Sequence, residues 1–446
     1  MIASSSSRPR TGLRVRYLLV LWLFVLSAVA YLDRTNISIA GVQIGREFGI
    51  DNTHLGWVIS AFLIGYASFQ IPAGLLAKRL GPRRVLALGA AWWSVFTILT
   101  TLVPPHMGGA VIVFMLVRFA LGAGESTMYP ATSLFVERWF PIQERGKANG
   151  LIFGGVGTGS GLTPYLVTTI MLRYGWRASF WFSAVVGAIV GLVWYLAARD
   201  SPEDHPSVGA AEQSFIEAGR SSNAHAGDPP AQSPQAQRIP WSGILGSRAV
   251  WALTVSYFSF GYVAWIFFGW FYIYMAQVRG LNLKTSALYT MLPFIAMTAG
   301  CLLGGVLSDW MATRYGLRIG RCVLSTACLA LTAVLLVLGS QAETALTAEI
   351  VLASGAGVLY ISQSCFWAVA ADIAGEHVSV VSGMMNMGGQ IGGAATASLT
   401  PFIASRLGWN FSFATAACIA LAGAIAWTAI DPKRNLLIAA RERAGQ

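Results

Sequence analysis

An arginine and a glutamate stand seven residues apart, Arg118 and Glu125 in RFALGAGESTMYP, within a run from 110 to 136 that is otherwise free of charge. That run is long enough to cross a bilayer, which takes roughly 20 apolar residues, and a charge near the middle of such a helix costs about 2.5 to 3.5 kcal/mol. Asp33 and Arg34 stand at the far end of the first apolar run, 17–38. Two acids and two bases at membrane depth can offset one another's burial, because buried charges persist mainly when paired. Seven residues make close to two turns, so Arg118, Gly122, Glu125 and Tyr129 share one helix face, with the two charges about 10 Å apart along the axis. Counting about 1.5 Å per residue from opposite membrane faces predicts that Asp33 pairs with Arg118 and that Arg34 reaches Glu125.

The chemistry open to this quartet is anion binding coupled to proton transfer. A guanidinium offers a planar fork to both oxygens of a carboxylate. When a substrate anion takes that fork, a glutamate left without its partner in a low-dielectric site tends to bind a proton. The two binding events then favour one another, and such linkage is reciprocal. On this reading Glu125 couples the proton, while an arginine, Arg34 or Arg118, anchors the anion. A purely structural quartet, locking two helices together, is the competing view, but an apolar contact would do that at lower cost. Tyr31, one turn before Arg34, and Tyr66 in GYASFQIP can complete the site, with Tyr360, Gln363, Ser364, Asn386 and Gln390 as the polar residues at depth later in the chain. His54, His106, His205, His225 and His377 fall in loops or at span ends, which argues against a histidine relay. The five cysteines lack metal-ligand spacing. No cofactor, metal or enzyme nucleophile set is expected.

The elements that position these residues are membrane helices. Of 446 residues, 55% are hydrophobic and only 11% charged, and the uncharged stretches divide into twelve candidate spans. The expected fold is an all-α membrane protein of twelve transmembrane helices in two related six-helix halves. Most of the 30 basic residues fall in the even-numbered connections and the tails. The positive-inside rule then puts both termini in the cytoplasm, so the net charge of +11 reports topology and not a nucleic-acid partner. The expected organisation is a cytoplasmic tail over 1–16, a first bundle over 17–198, a cytoplasmic linker over 199–248, a second bundle over 249–430 and a second tail over 431–446. A short surface helix is expected near 210–218.

Local matches at one offset support the two halves. ERGKANGLIFGGVGTGSG at 144–161 aligns with EHVSVVSGMMNMGGQIGG at 376–393, Gly175 and Trp176 with Gly408 and Trp409, and Gly74 with Gly305. Related halves in the same orientation place a substrate site between them near the membrane midplane. The glycines of GGVGTGSG have small-xxx-small spacing without a preceding strand, so they read as close helix packing and not as a phosphate loop.

YLDRTNIS, RFALGAGESTMYP, GLLAKRLGPRR and GMMNMGGQIGG together resemble the anion:cation symporters of the major facilitator superfamily, a group that includes bacterial sugar-acid carriers. The likeness runs through nearly the whole chain apart from the tails and the linker. It implies a monomeric, alternating-access carrier in the bacterial inner membrane that imports an organic anion with protons. Asp33 and Glu125 would be the protonated acids and Arg34 the carboxylate anchor, with Tyr31, Tyr66, Gln363 and Asn386 as contacts. Gly74, Arg79, Gly81 and Arg83, with Gly305 and Asp309, form the superfamily's gating loops. There the first loop departs from the pattern, holding Lys78 where the second holds Asp309. An exchanger or efflux carrier of the same fold is the alternative, and sodium the alternative coupling ion.

Overall fold

The computed structural model describes residues 14–105, 107–140, 142–221, 244–374 and 378–432. Residues 1–13, 222–243 and 433–446, and with them most of the expected tails and the middle of the linker, lie outside this set, as do His106, His225 and His377. Sixteen α-helices are described: α1 (Val15–Phe48), α2 (Asn52–Leu80), α3 (Pro82–Thr101), α4 (Ala110–Glu125), α5 (Met128–Trp139), α6 (Ile142–Tyr174), α7 (Trp176–Ala197), α8 (Ala210–Ser221), α9 (Arg248–Gly269), α10 (Phe271–Gln277), α11 (Leu283–Tyr315), α12 (Leu324–Gln341), α13 (Ala345–Ile361), α14 (Gln363–Ala374), α15 (Val378–Leu407) and α16 (Trp409–Trp427). Counting α4 with α5 and α13 with α14 as continuous, ten helices among the described residues are long and apolar enough to cross a membrane. In addition, α6 and α15 run for 33 and 30 residues.

Three of the expected spans are broken, and the chemistry of the breaks is local. Pro130 has no N–H to give the carbonyl four residues before it. The chain turns at Ser126 and Thr127, whose hydroxyls donate to the carbonyls of Ala123 and Gly124 at 2.7 and 2.8 Å. Ser362 does the same between α13 and α14, donating to Leu359 O at 2.6 Å. A third break falls at Trp270, between α9 and α10.

Helices pair where glycine lets backbones meet. Gly155 and Gly159 of α6 lie against the carbonyls of Phe24 and Ala28 in α1. Gly65 of α2 meets Phe119 O of α4, and Gly122 of α4 meets Phe62 O of α2. After the linker the pattern recurs: Gly392 of α15 meets Phe258 O of α9, while Gly300 and Gly304 of α11 meet the carbonyls of Gly357 and Ile361 in α13. Of these, Gly155 and Gly159 are glycines that the sequence presents as packing residues.

Hydrogen bonds between the helices before and after the linker gather at the end where α1 finishes. Ser38 Oγ donates to Phe268 O at 2.8 Å, Ser60 Oγ to Ala394 O at 2.7 Å, and Asn52 Nδ2 to Gln277 Oε1 at 2.9 Å.

At the opposite end α1 begins at Val15, so residues 15 and 16 belong to the helix and not to the tail. Arg16 is fully buried, with Glu144 of α6 at 3.0 Å and Glu212 of α8 at 3.1 Å. Glu212 also accepts from the amides of Val15 and Arg16, satisfying donors that a helix start leaves open. The short linker helix is therefore present, and it caps α1.

A β-carbon at Gly122 would overlap the Phe62 carbonyl, whereas one at Gly150 meets nothing within 4 Å. Gly122→Ala should destabilise the folded protein by about 1 to 3 kcal/mol through overpacking, and Gly150→Ala should leave it unchanged or slightly more stable. Thermal unfolding in detergent distinguishes the two.

Candidate functional site

The bend between α4 and α5 and the close approach of α2 to α4 bring four elements to one point. There Arg34 Nε donates to Glu125 Oε1 at 2.5 Å, and the two side chains are 1% and 0% exposed. The guanidinium carbon lies 4.5 Å from the ring centres of both Tyr31 and Tyr66 and 5.7 Å from that of Phe62. A cation over aromatic faces is held electrostatically, by about 2 kcal/mol when desolvated. Arg34 is thus caged by rings on two sides with a carboxylate at its edge. Arg118 shares the cage floor, its guanidinium 4.9 Å from the Phe62 ring. One turn beyond Glu125, Tyr129 closes the proximal side through Ser27 at 3.1 Å and a stack on Phe153.

One expected contact is not made. Asp33 and Arg118 form no ion pair within 4.0 Å, and both carboxylate oxygens of Asp33 lack a hydrogen-bond partner, as does Arg118 Nε. Asp33 remains within electrostatic reach of both Arg118 and Glu125. Counting residues along two helices gave the right level but not the direction. Adjacent residues differ by about 100° around a helix, so when Arg34 faces α4, Asp33 turns toward α7. The quartet is closed off from solvent: Asp33, Arg34, Arg118 and Glu125 are all at most 2% exposed.

The later helices supply the opposite wall. Tyr31 packs on Phe268 at 5.6 Å, linking the Arg34 cage to α9. Gln363 Nε2 donates to Tyr257 Oη at 3.1 Å, and Tyr257 stacks on Phe260, which meets Tyr360. Tyr257 and Tyr360 are within electrostatic reach of Tyr31. The sequence reading passed over Tyr257 because one tyrosine in an aromatic run carries no signal by itself. Asn386 is half-buried on α15 and makes no hydrogen bond among the described residues. Ser364 bonds the Cys301 carbonyl at 3.4 Å beside Gly305, a helix-packing position.

Gly74 faces Pro130, Arg79 is exposed, and Gly81 has the left-handed φ of 84°. Asp309 pairs with Arg321 at 2.8 Å. In the first loop, which lacks that aspartate, Asp200 at the end of α7 accepts from Arg83 N at 2.8 Å, while Arg83 Nε donates to Tyr195 O. Glu349, which counting puts at a span mouth, is fully buried with neither oxygen partnered. Depth along an axis says nothing of sideways cover.

Residues 23–397 match the Major Facilitator Superfamily. The chain belongs to that superfamily. It is 32% identical to the probable sulfoacetate transporter SauU of Cupriavidus necator over 94% of this chain and 95% of that one. To the probable galactarate/D-glucarate transporter GudP of Escherichia coli it is 30% identical, over 91% and 90%. Both relatives are organic-anion transporters, consistent with the anion:cation symporter resemblance, and this superfamily member is a transporter protein and not an enzyme. The fold is similar to that of a bacterial homologue of the human lysosomal transporter Spinster in an inward-facing, occupied conformation, with a TM-score of 0.71 at 16% identity over 95% of this chain and 97% of that one.

Removing one partner of a buried pair strands the other. Glu125→Ala should destabilise the protein by about 3 to 5 kcal/mol, and adding Arg34→Met should recover most of that loss. Thermal melts of the two single variants and the double test this. A double variant no more stable than Glu125→Ala would show that the pair is not the source of the effect.

Proposed function

We propose that this chain is a secondary active carrier that imports an organic anion, a sugar acid or related carboxylate, by proton symport through alternating access. The observation that carries the proposal is the buried Arg34–Glu125 pair inside its aromatic cage. A carboxylate entering between the halves competes with Glu125 for the Arg34 fork. Once displaced, Glu125 is a lone carboxylate in a dry site and takes up a proton, which removes the charge that would pull Arg34 back. Asp33, already without a partner, is the second proton site, and Arg118 balances whichever acid is charged. Tyr31, Tyr66, Gln363, Ser364 and Asn386 contact the rest of the anion.

In this reading α6 and α15 join the ten apolar helices as the remaining crossings. The halves then span 15–198 and 248–430, the termini and linker are cytoplasmic, and the carrier is a monomer in the bacterial inner membrane. The hydrogen bonds gathered where α1 finishes then close the outer side. The loops with Gly74, Arg79, Gly81 and Arg83, and with Gly305 and Asp309, work at the inner side. The Asp309–Arg321 pair steadies the second of these, and Asp200 takes the corresponding duty for the first. The substrates for which the two relatives are named, sulfoacetate and galactarate or D-glucarate, are small carboxylates of the class an arginine fork selects.

Purified protein in liposomes, offered a panel of sugar acids with and without an inwardly directed acid gradient, tests the proposal. Accumulation should depend on the gradient, and Glu125→Gln should lose accumulation while retaining at least part of anion exchange. Accumulation that survives Glu125→Gln removes Glu125 from the coupling step. Gradient-independent exchange in the unmutated protein favours the exchanger.

A further inference from the structure

Glu349 takes no part in the coupling scheme, yet it is fully buried and neither of its carboxylate oxygens has a hydrogen-bond partner. It lies just over one turn inside the start of α13, at the end of the protein where the hydrogen bonds between the halves gather. Gln277, the last residue of α10, accepts from Asn52 at the start of α2. Arg279, two residues further on, donates to the carbonyls of Ala342, Gly339 and Ser340 at 2.6, 3.3 and 3.2 Å, tying that end of α10 to the connection that leads into α13.

The helix period gives the face on which Glu349 stands. Residues 349, 353, 356 and 360 follow the i, i+4, i+7, i+11 spacing of one helix face. Tyr360 on that face meets Phe260 of α9 at 5.1 Å and is within electrostatic reach of Tyr31. This side of α13 therefore looks toward the cage and the first half. Between Glu349 and Tyr360, about 16 Å along the axis, it carries only Ala353 and Ala356.

Among the described residues no charged side chain bears on Glu349. Gly300 and Gly304 of α11 lie against Gly357 and Ile361 of α13, which sets Glu349 at about the level of Leu292. The nearest titratable groups on α11 are Tyr289, one turn further out, and Lys284, two turns out. Over 329–341 of α12 and 263–269 of α9 there are none. Glu343 is exposed in the connection, and Arg279, besides the three carbonyls, donates to Tyr274 Oη. A carboxylate buried with no partner takes a proton instead of staying ionised, whereas a glutamate in water gives its proton up above about pH 4.3.

We infer that Glu349 is a further proton site and a lock on the end where α1 finishes: the carboxylate must take a proton from water on that side before the halves can close there, and it returns the proton when they part. Closing thus consumes one proton, so it is favoured at low pH and lost as pH rises. The proposed function enters only in naming this end the outer one.

Hydrogen–deuterium exchange of the purified protein in detergent, corrected for intrinsic rates and followed in segments 43–57 and 270–285 across a pH series, tests the lock. Protection in the unmutated protein should fall with rising pH, by up to tenfold per unit for one linked proton. Glu349→Gln, which stays neutral, should remove that dependence and hold the end closed, and Glu349→Leu, which has no polar atom, should do the same. An infrared band of a protonated carboxyl should be present in the unmutated protein and missing from Glu349→Gln. The inference is overturned if both variants follow the pH dependence of the unmutated protein, or if Glu349→Gln removes no such band. Should the variants behave as expected while liposome uptake ignores the acid gradient, the lock stands and the symport reading fails.

Discussion

A guanidinium and a carboxylate held at 2.5 Å with almost no exposure form the constraint to which the surrounding helices answer. Neither charge could remain alone at this depth. The effective penalty for burying one ion is several kcal/mol even after relaxation, and the pair offsets it only while its geometry is good. Any event that separates the two must therefore supply a new partner for each. An anion can serve Arg34 and a proton can serve Glu125, which is why the proposed function ties their movements together. The rings of Tyr31, Tyr66 and Phe62 keep the arginine in place during the exchange, because their attraction does not depend on which carboxylate it holds.

The scaffold makes that geometry possible through close backbone contact. With Gly65 and Gly122 at the crossing of α2 and α4, the two helices approach until Tyr66 and Glu125 both reach Arg34. The turn at Ser126–Thr127 gives the chain a new direction just after Glu125, so Tyr129 meets Ser27 of α1 instead of continuing along the α4 axis. At the proximal end, Glu144 and Glu212 fix the start of α1 through Arg16. The helix carrying both Asp33 and Arg34 is thus tied to the linker as well as to the site.

Much of this was legible in the sequence because it rests on period and cost. Apolar runs gave the helices, small-residue spacing gave the crossings at Gly155 and Gly159, and the expense of an isolated intramembrane charge brought Arg34 to Glu125. What escaped depends on direction around a helix or on partners distant in sequence. The gap between Asp33 and Arg118 follows from the 100° step between Asp33 and Arg34, which axial counting ignores. The buried hydrogen bonds that join Asn36 of α1 to Ser179 and Ser183 of α7 were missed because serines on α7 look like small packing residues until the helix is placed against α1. Asp200 could not be recognised as a partner of the first loop from a position more than a hundred residues away.

The central claim is that anion and proton exchange places around Arg34. Its most direct measurement is the proton count on binding: calorimetric titration of a bound sugar acid into the purified protein, repeated in buffers of different ionisation enthalpy. The account predicts net proton uptake with the anion and an affinity that rises as pH falls. Binding of equal affinity across that pH range with no proton taken up would contradict it.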